Sequence, residues 1–161
     1  MTLLSLIEHS FPKGPKIAAY FLLTENKQLK VTLKEHDQFT AYFSSELSLA
    51  IYNQLLSWCE AYSEKGNPLF FPFPESNLPL FTLKVLQTLQ KVPFGKTCSY
   101  QELAIDSQSP KAFRAVGTIC RLNSFPLLIP CHRVVLKNGS LGEFAFGASL
   151  KKELLQFEGA L

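Results

Sequence analysis

The feature that most constrains the fold of this chain is a proline-rich stretch near its middle. Residues 65–79 contain four prolines, and the stretch opens with Lys65-Gly66-Asn67-Pro68. Because proline fixes φ and lacks an amide hydrogen, this stretch is unable to form a helix. A chain of 161 residues with 47% hydrophobic content is long enough for two small cores. We therefore predict an N-terminal α/β domain with its linker over residues 1–76 and a C-terminal domain over residues 77–161.

The N-terminal part has the pattern of a small sheet with one helix. Residues 17–23 are rich in β-formers and residues 28–33 alternate, so the two segments predict a hairpin, with residues 38–43 as a third strand. Apolar residues at helical spacing predict an amphipathic helix over residues 45–63; they are Leu47, Ile51, Leu55, Trp58 and Tyr62. Such a stripe could be a ligand-binding face, but it is far more often core, and we interpret it as core.

The C-terminal part has the pattern of several helices. Helices are predicted over residues 80–91, 100–105, 111–122 and 150–157. Ser99 and Glu102 have the spacing of a capping box at the start of the second of these. Two short helices joined by a turn are typical of a helix-turn-helix unit that docks on DNA, although many helical hairpins bind nothing. Asn138-Gly139 predicts a hairpin turn after a strand containing Val134-Val135.

The residues best suited to chemistry lie in Pro130-Cys131-His132-Arg133, which follows an apolar run over residues 127–129. We interpret the apolar run as a strand that the proline ends. The reactive form of cysteine is the thiolate, whose pKa depends on neighbouring cations and proton acceptors. A cysteine beside both histidine and arginine is therefore a candidate activated nucleophile. Adjacent side chains on an extended backbone point to opposite sides, so the tetrapeptide alone is weak support.

The charge and the cysteines indicate the class of protein only broadly. A net charge of +3 and a pI near 8.7 fit a DNA-binding protein without requiring one. All three arginines lie between residues 114 and 133, and arginine is the better partner for phosphates and bases. The four cysteines form no C-x-x-C pair, and the sequence has neither the apolar region of a secretory signal nor a membrane-spanning stretch. We therefore expect reduced thiols, a cytoplasmic location and no membrane association.

The C-terminal half resembles the O6-alkylguanine-DNA alkyltransferases. The resemblance is carried by Arg114-Ala115-Val116-Gly117, by Asn123, by the segment from Ile129 to Val135, and by Leu154-Leu155-Gln156-Phe157-Glu158-Gly159. It implies an α+β protein with a small RNase H-like sheet-plus-helix domain followed by a winged helix-turn-helix alkyltransferase domain. It also implies DNA repair by stoichiometric, single-turnover transfer of a methyl group from O6 of guanine to Cys131.

The resemblance assigns catalytic roles to five residues. Cys131 would be the nucleophile, His132 would deprotonate it through a water, and Glu158 would orient His132. Asn123 would brace the turn, although it could equally be a helix C-cap. Tyr100 would donate a hydrogen bond to the departing purine, and its alternative role is core packing.

The resemblance also assigns residues to DNA and to the alkylguanine pocket. Arg114 would fill the space of the flipped nucleotide, or contact phosphate, beside Ala115, Gly117 and Arg121. The pocket residues would be Val134, Phe144, Ala145 and Phe146. Departures from the family pattern are Phe144 for tyrosine, a bulky Phe146, Phe113 for a small residue, Ser124 for proline and Gln108 for glycine. They bear on pocket size and DNA docking, and they leave the Cys–His–Glu relay intact.

The partner implied is double-stranded DNA containing O6-alkylguanine, bound by a monomer. No cofactor is expected. Residues 1–58 contain no cysteine and only two histidines, so we expect no metal site there or elsewhere. Two alternatives stay open: a lesion-binding module that is never alkylated, and a Cys–His hydrolase unrelated to DNA. A groove-docking helix pair would be of no use to a hydrolase.

Overall fold

The computed structural model of the protein describes residues 5–66, 71–72 and 77–161. The chain forms two compact units, residues 1–72 and 73–161, and mixes helices with sheet as expected for an α+β protein. Residues 67–70 and 73–76 of the proline-rich stretch lie outside the described residues, so the boundary between residues 76 and 77 stays a prediction. Within the described ranges, no helix combines the length and the apolar character needed to cross a membrane.

The first unit is a four-stranded sheet with one helix. Its elements are β1 (Leu6–Ser10), β2 (Ile17–Leu23), β3 (Leu29–Glu35), β4 (Thr40–Ser44) and α1 (Leu49–Ser63), and the strand order is β1-β4-β2-β3. The predicted hairpin is confirmed, because β2 pairs antiparallel with β3 from Ile17 opposite Glu35 to Leu23 opposite Leu29. β4, the predicted third strand, runs parallel to β2 and antiparallel to β1.

The core of this unit follows from the alternation of side chains along the strands. Phe21 and Phe43 lie on the same face of neighbouring strands, with ring centroids 5.2 Å apart, and both are fully buried. From α1, Trp58 and Tyr62 are buried and stack on each other at 5.1 Å. The core interpretation of the helical stripe is confirmed for these two residues and for Leu55.

Two predictions for this unit need correction. The helix begins at Leu49 rather than at residue 45, because the Ser48 hydroxyl caps it by accepting from the Ile51 amide; Leu47 precedes the helix and Ile51 is 38% exposed. β1 was not predicted at all. It is an edge strand with mostly exposed side chains, so it lacks the apolar alternation that marks a strand in sequence.

The second unit holds the remaining elements. They are α2 (Leu80–Leu89), β5 (Cys98–Ser99), α3 (Tyr100–Asp106), α4 (Phe113–Arg121), β6 (Val134–Val135) and α5 (Ala148–Phe157). The capping box is confirmed: the Ser99 hydroxyl accepts from the Glu102 amide, and the Glu102 carboxylate accepts from the Ser99 amide. All four predicted helices are present, with ends that differ by one or two residues.

The segment around the motif is not a strand, and here the prediction was wrong. Leu127 and Leu128 form a turn in which Leu127 has φ of +75°, Ile129 makes an isolated bridge to Pro126, and Cys131–Arg133 form one turn of 3-10 helix. β6 then pairs in parallel with β5, Cys98 lying opposite Val134. Asn138-Gly139 does form a turn, with Gly139 at φ +84°, but no described residues after it form a strand, so the predicted hairpin is absent there.

Candidate active site

Asn123 organises the buried turn that leads to Cys131. It follows α4 and is nearly buried. Its Oδ1 accepts from the Phe125 amide at 2.9 Å, and its Nδ2 donates to the Ile129 carbonyl at 3.0 Å and to Cys131 Sγ at 3.3 Å. The Asn123 side chain thus pairs with two backbone groups, the Phe125 amide before the turn and the Ile129 carbonyl after it. This explains how an apolar run can be buried without joining a sheet.

The Cys131 thiol is nearly inaccessible, with 6% of the residue exposed. Burial raises the pKa of Cys131, while the Asn123 hydrogen bond and the charge of Lys151 lower it. Burial outweighs the two stabilising contacts, so the resting side chain is the neutral thiol. A base is therefore needed to generate the thiolate.

The base available is His132, whose side chain is completely buried. Its Nε2 lies 2.6 Å from Glu158 Oε2. A carboxylate can only accept, so Nε2 carries the proton and Nδ1 holds the lone pair. Nδ1 has no hydrogen-bond partner among the described residues. Burial lowers the pKa of His132 against the opposing pull of Glu158, which leaves a neutral imidazole with a free basic nitrogen.

Glu158 is held as a carboxylate by two donors. Its other oxygen, Oε1, accepts from Arg133 Nε at 2.7 Å, and Arg133 also donates to the Val92 carbonyl at 2.8 Å. Burial by itself raises the pKa of Glu158, but its interactions with His132 and then Arg133 outweigh burial and lower that pKa to about 2. The arginine of the sequence motif thus acts on the glutamate rather than directly on the thiol.

Lys151 is a site residue that sequence analysis missed. It lies on α5 with its side chain fully buried, and its Nζ donates to the Val134 carbonyl at 2.6 Å and to the Glu143 carbonyl at 3.3 Å. Its charge favours the Cys131 thiolate. The signal was present in the sequence, because Lys151 is in helical phase with Leu154, Leu155 and Glu158, all of which are buried.

A cleft of about 830 Å³ lies beside this relay in the second unit. Six residues predicted for catalysis, DNA or the pocket line it: Tyr100, Arg114, Gly117, Arg121, Phe144 and Ala145. Gly117 and Gly142 both face the Tyr100 ring, since a Cβ at either position would lie in ordinary van der Waals contact, 3.9 Å from ring carbons. Burial, chiefly, raises the pKa of Tyr100 to about 12. Its hydroxyl is therefore a hydrogen-bond donor at neutral pH.

The other seven predicted residues lie outside the cleft lining, and three of them are the buried Asn123, His132 and Glu158 described above. Cys131 and Val134 are buried, and Ala115 is exposed on α4. Phe146 packs edge-on against Phe144, with ring centroids 5.6 Å apart, instead of lining the cleft. Within the part of the chain that the structure describes, no group of three or more His, Cys, Asp or Glu side chains could hold a metal ion.

The fold and the buried relay define a class of protein, and comparison with known proteins identifies it. The architecture is similar to that of the O6-methylguanine methyltransferase of Mycobacterium tuberculosis, with a TM-score of 0.61 at 21% identity over 89% of this chain and 93% of that one. Residues 80–160 match the family model for the 6-O-methylguanine DNA methyltransferase DNA-binding domain.

Two relatives extend the comparison. The human methylated-DNA–protein-cysteine methyltransferase is 42% identical over 113 residues, which are 66% of this chain and 55% of that protein. The constitutive enzyme of Bacillus subtilis is 32% identical over 136 residues, 84% of this chain and 70% of that one. The chain thus spans little more than half the length of the human relative. It belongs to the O6-methylguanine-DNA methyltransferase family, and the resemblance predicted from the sequence is confirmed.

Proposed function

We propose that this protein repairs DNA by transferring a methyl group from O6 of guanine to Cys131, once per protein molecule. Two buried contacts carry the proposal: the Asn123 amide donates to Cys131 Sγ at 3.3 Å, and His132, the next residue, is bonded to Glu158 at 2.6 Å, with the charge of Lys151 also favouring the thiolate. These groups supply what a buried thiol needs to become a nucleophile. Family membership supports the same reaction.

The hydrogen bond between His132 and Glu158 determines which ring nitrogen of His132 can accept the thiol proton. Since Nε2 of His132 is bonded to Glu158, Nδ1 is the ring atom left to accept the thiol proton, and a bridging water would carry it. The imidazolium that forms is stabilised by the Glu158 carboxylate. Lys151 and the Asn123 amide favour the sulfur anion that remains.

The transfer is a displacement at the methyl carbon. The sulfur–carbon bond forms as the carbon–O6 bond breaks, and the bonding electron pair leaves with the guanine. Tyr100, protonated and in the cleft wall, donates a hydrogen bond to the purine as this charge develops. The departing base takes up one proton, which returns from the His132 imidazolium through Tyr100 or water, so the products are S-methylcysteine, neutral imidazole and intact guanine, and no group in the relay restores the thiol.

The guanine reaches the cleft only if its nucleotide leaves the duplex. In our proposal α3 and α4 act as a helix-turn-helix unit of a winged domain, with Arg114 filling the vacated space. Gly117 and the exposed Ala115 allow close approach of the backbone, and Arg121 contacts phosphate. The first unit would be an RNase H-like domain, and the protein would act as a monomer. The four cysteines are unpaired, and a reactive thiol requires a reducing compartment, which favours the cytoplasm.

The test is the intact mass of the protein after mixing with duplex DNA that carries one O6-methylguanine. We expect one added methyl group, located by peptide mapping on the peptide that contains Cys131. Cys131→Ala should stay unmodified yet bind the lesion duplex, whereas Cys59→Ala, a buried thiol in the other unit, should react as wild type. A wild-type protein that binds and stays unmodified would be a lesion-binding module. Neither binding nor methylation would favour a hydrolase.

A further inference from the structure

Phe113 is a large aromatic side chain that the fold leaves open. It is the first residue of α4, and 46% of its surface is exposed. None of the ring–ring contacts within the described residues involves it. A single exposed hydrophobic residue is common on protein surfaces, so exposure alone means little. The position of Phe113 is what indicates a functional role.

Phe113 lines the same cleft as Arg114, Tyr100 and Phe144. Cys120, two turns further along the same helix, also lines the cleft but is only 6% exposed. The contrast puts Phe113 at the open rim of the cleft and Cys120 at its inner end. The ring therefore stands where a nucleotide would enter.

Phe113 and Arg114 are successive residues of one helical turn. Successive side chains on an α-helix are separated by about 100° around the axis, so the two point in different directions. They are unable to occupy the same gap in a base stack. If Arg114 takes the place of the extruded nucleotide, the neighbouring ring contacts something else.

We propose that Phe113 is a positioning residue that wedges, beside Arg114, against the base pair adjoining the extruded nucleotide. The inference rests on the DNA-repair function proposed above. Apolar side chains such as phenylalanine and leucine open base steps in this way when a protein binds the minor groove. A ring that stacks on the exposed base compensates for the stacking lost when the nucleotide leaves. Phe113 thus stabilises the opened duplex and has no contact with the reacting atoms.

The test compares substrates that differ in whether a duplex must be opened. We would measure the rate of Cys131 methylation with a duplex carrying O6-methylguanine, with the same strand alone, and with the free base. Phe113→Ala should slow the duplex reaction about 5- to 150-fold, the range of losses when a base-stacking aromatic is replaced by alanine. The free-base reaction should be unchanged. Phe113→Leu should keep most of the duplex rate, because leucine is also a wedge.

A matched control lies on the same helix. Leu122, at the C-cap of α4, is 69% exposed and outside the cleft lining, so Leu122→Ala should react with all three substrates as wild type. A second measurement follows the opening of the duplex and does not depend on methyl transfer. The fluorescence of 2-aminopurine placed beside the lesion should rise on binding wild type and rise less with Phe113→Ala.

The wedge is refuted if Phe113→Ala matches wild type on the duplex in both rate and fluorescence. An equal loss of rate on the free base would instead place Phe113 in the pocket or in the fold, and would also overturn the proposal. The proposed repair function fails in a different way, when wild type itself gains no methyl group. In that case the 2-aminopurine signal still decides whether Phe113 opens the duplex.

Discussion

Replacing Glu158 by glutamine removes one negative charge from the buried cluster of His132, Arg133 and Glu158. The wild-type carboxylate, fully buried, accepts from His132 at 2.6 Å and from Arg133 at 2.7 Å. Glutamine has the same shape, but its one oxygen can serve only one of these donors, and its amide nitrogen then faces the other. The Arg133 guanidinium is left buried without a counter-charge. Glu158→Gln should therefore destabilise the protein at neutral pH.

The size of the loss follows from the pKa of Glu158. Its folded-state pKa is lowered from 4.5 to about 2, and at about 1.4 kcal/mol per pKa unit this corresponds to about 3 kcal/mol of stability. A similar figure, about 3–5 kcal/mol, is typical when one partner of a buried ion pair is removed. Because the pKa is lowered, this stability is fully present above the unfolded value of 4.5 and is lost as the pH falls towards 2.

The assay is urea unfolding of both proteins, followed by far-UV circular dichroism at several pH values. The gap between wild type and Glu158→Gln should be about 3 kcal/mol at pH 7, and it should close by about 1.4 kcal/mol per pH unit as the pH falls below 4.5. Hydrogen exchange of the peptide that carries α5 would locate the loss in the second unit.

The control is Glu64→Gln, which removes a carboxylate from an exposed pair with Lys13, at side-chain exposures of 57% and 69%. Such a pair contributes little, and this variant should stay within about 1 kcal/mol of wild type. A gap for Glu158→Gln that is no larger than this, or that does not change below pH 4.5, would refute the reasoning.

Three further predictions concern activity. Tyr100→Phe keeps the ring but loses the donor, so methyl transfer should slow by about 100-fold or more while lesion binding is unchanged; a parallel loss of stability and rate would make Tyr100 a packing residue. Arg114→Ala should slow transfer from duplex DNA far more than from free O6-methylguanine, because its proposed task is to hold the extruded state; equal losses would place Arg114 in the pocket. Lys151→Met removes the charge that lowers the pKa of Cys131, so the alkylation of Cys131 by iodoacetamide should shift to higher pH. Lys151→Arg keeps the charge and should shift it less, and an unshifted profile in the methionine variant would contradict the role given to Lys151.

The local features of this fold were predictable because their causes lie within a few residues. The capping box of Ser99 and Glu102 starts α3 as predicted, and the hairpin of β2 and β3 follows from the alternation of two adjacent segments. The motif around Cys131 likewise identified the family, since adjacent residues carry it. The observed helix ends differ from the predicted ends by a few residues. The start of α1, for example, is set by the Ser48 cap.

The active-site contacts are of another kind, because they join residues far apart in the chain. His132 meets Glu158 across 26 positions, and Lys151 reaches the Val134 carbonyl across 17. No pattern in a local window specifies such a contact. Residues 127–129 have the composition of a strand but contain a turn, at which the Asn123 amide donates to the Ile129 carbonyl and the Ile129 amide donates to the Phe125 carbonyl.

The sequence by itself therefore determined which side chains have the functional groups that methyl transfer needs: a thiol, an imidazole, a carboxylate and a phenol at recognisable positions. The tertiary structure alone decided their states. Burial raises the pKa of Cys131 and lowers that of His132, and Arg133 turns out to hold Glu158 rather than the thiol. The reason is physical: a pKa depends on how much water a group loses and on which charges surround it, and both are set only when distant segments pack together.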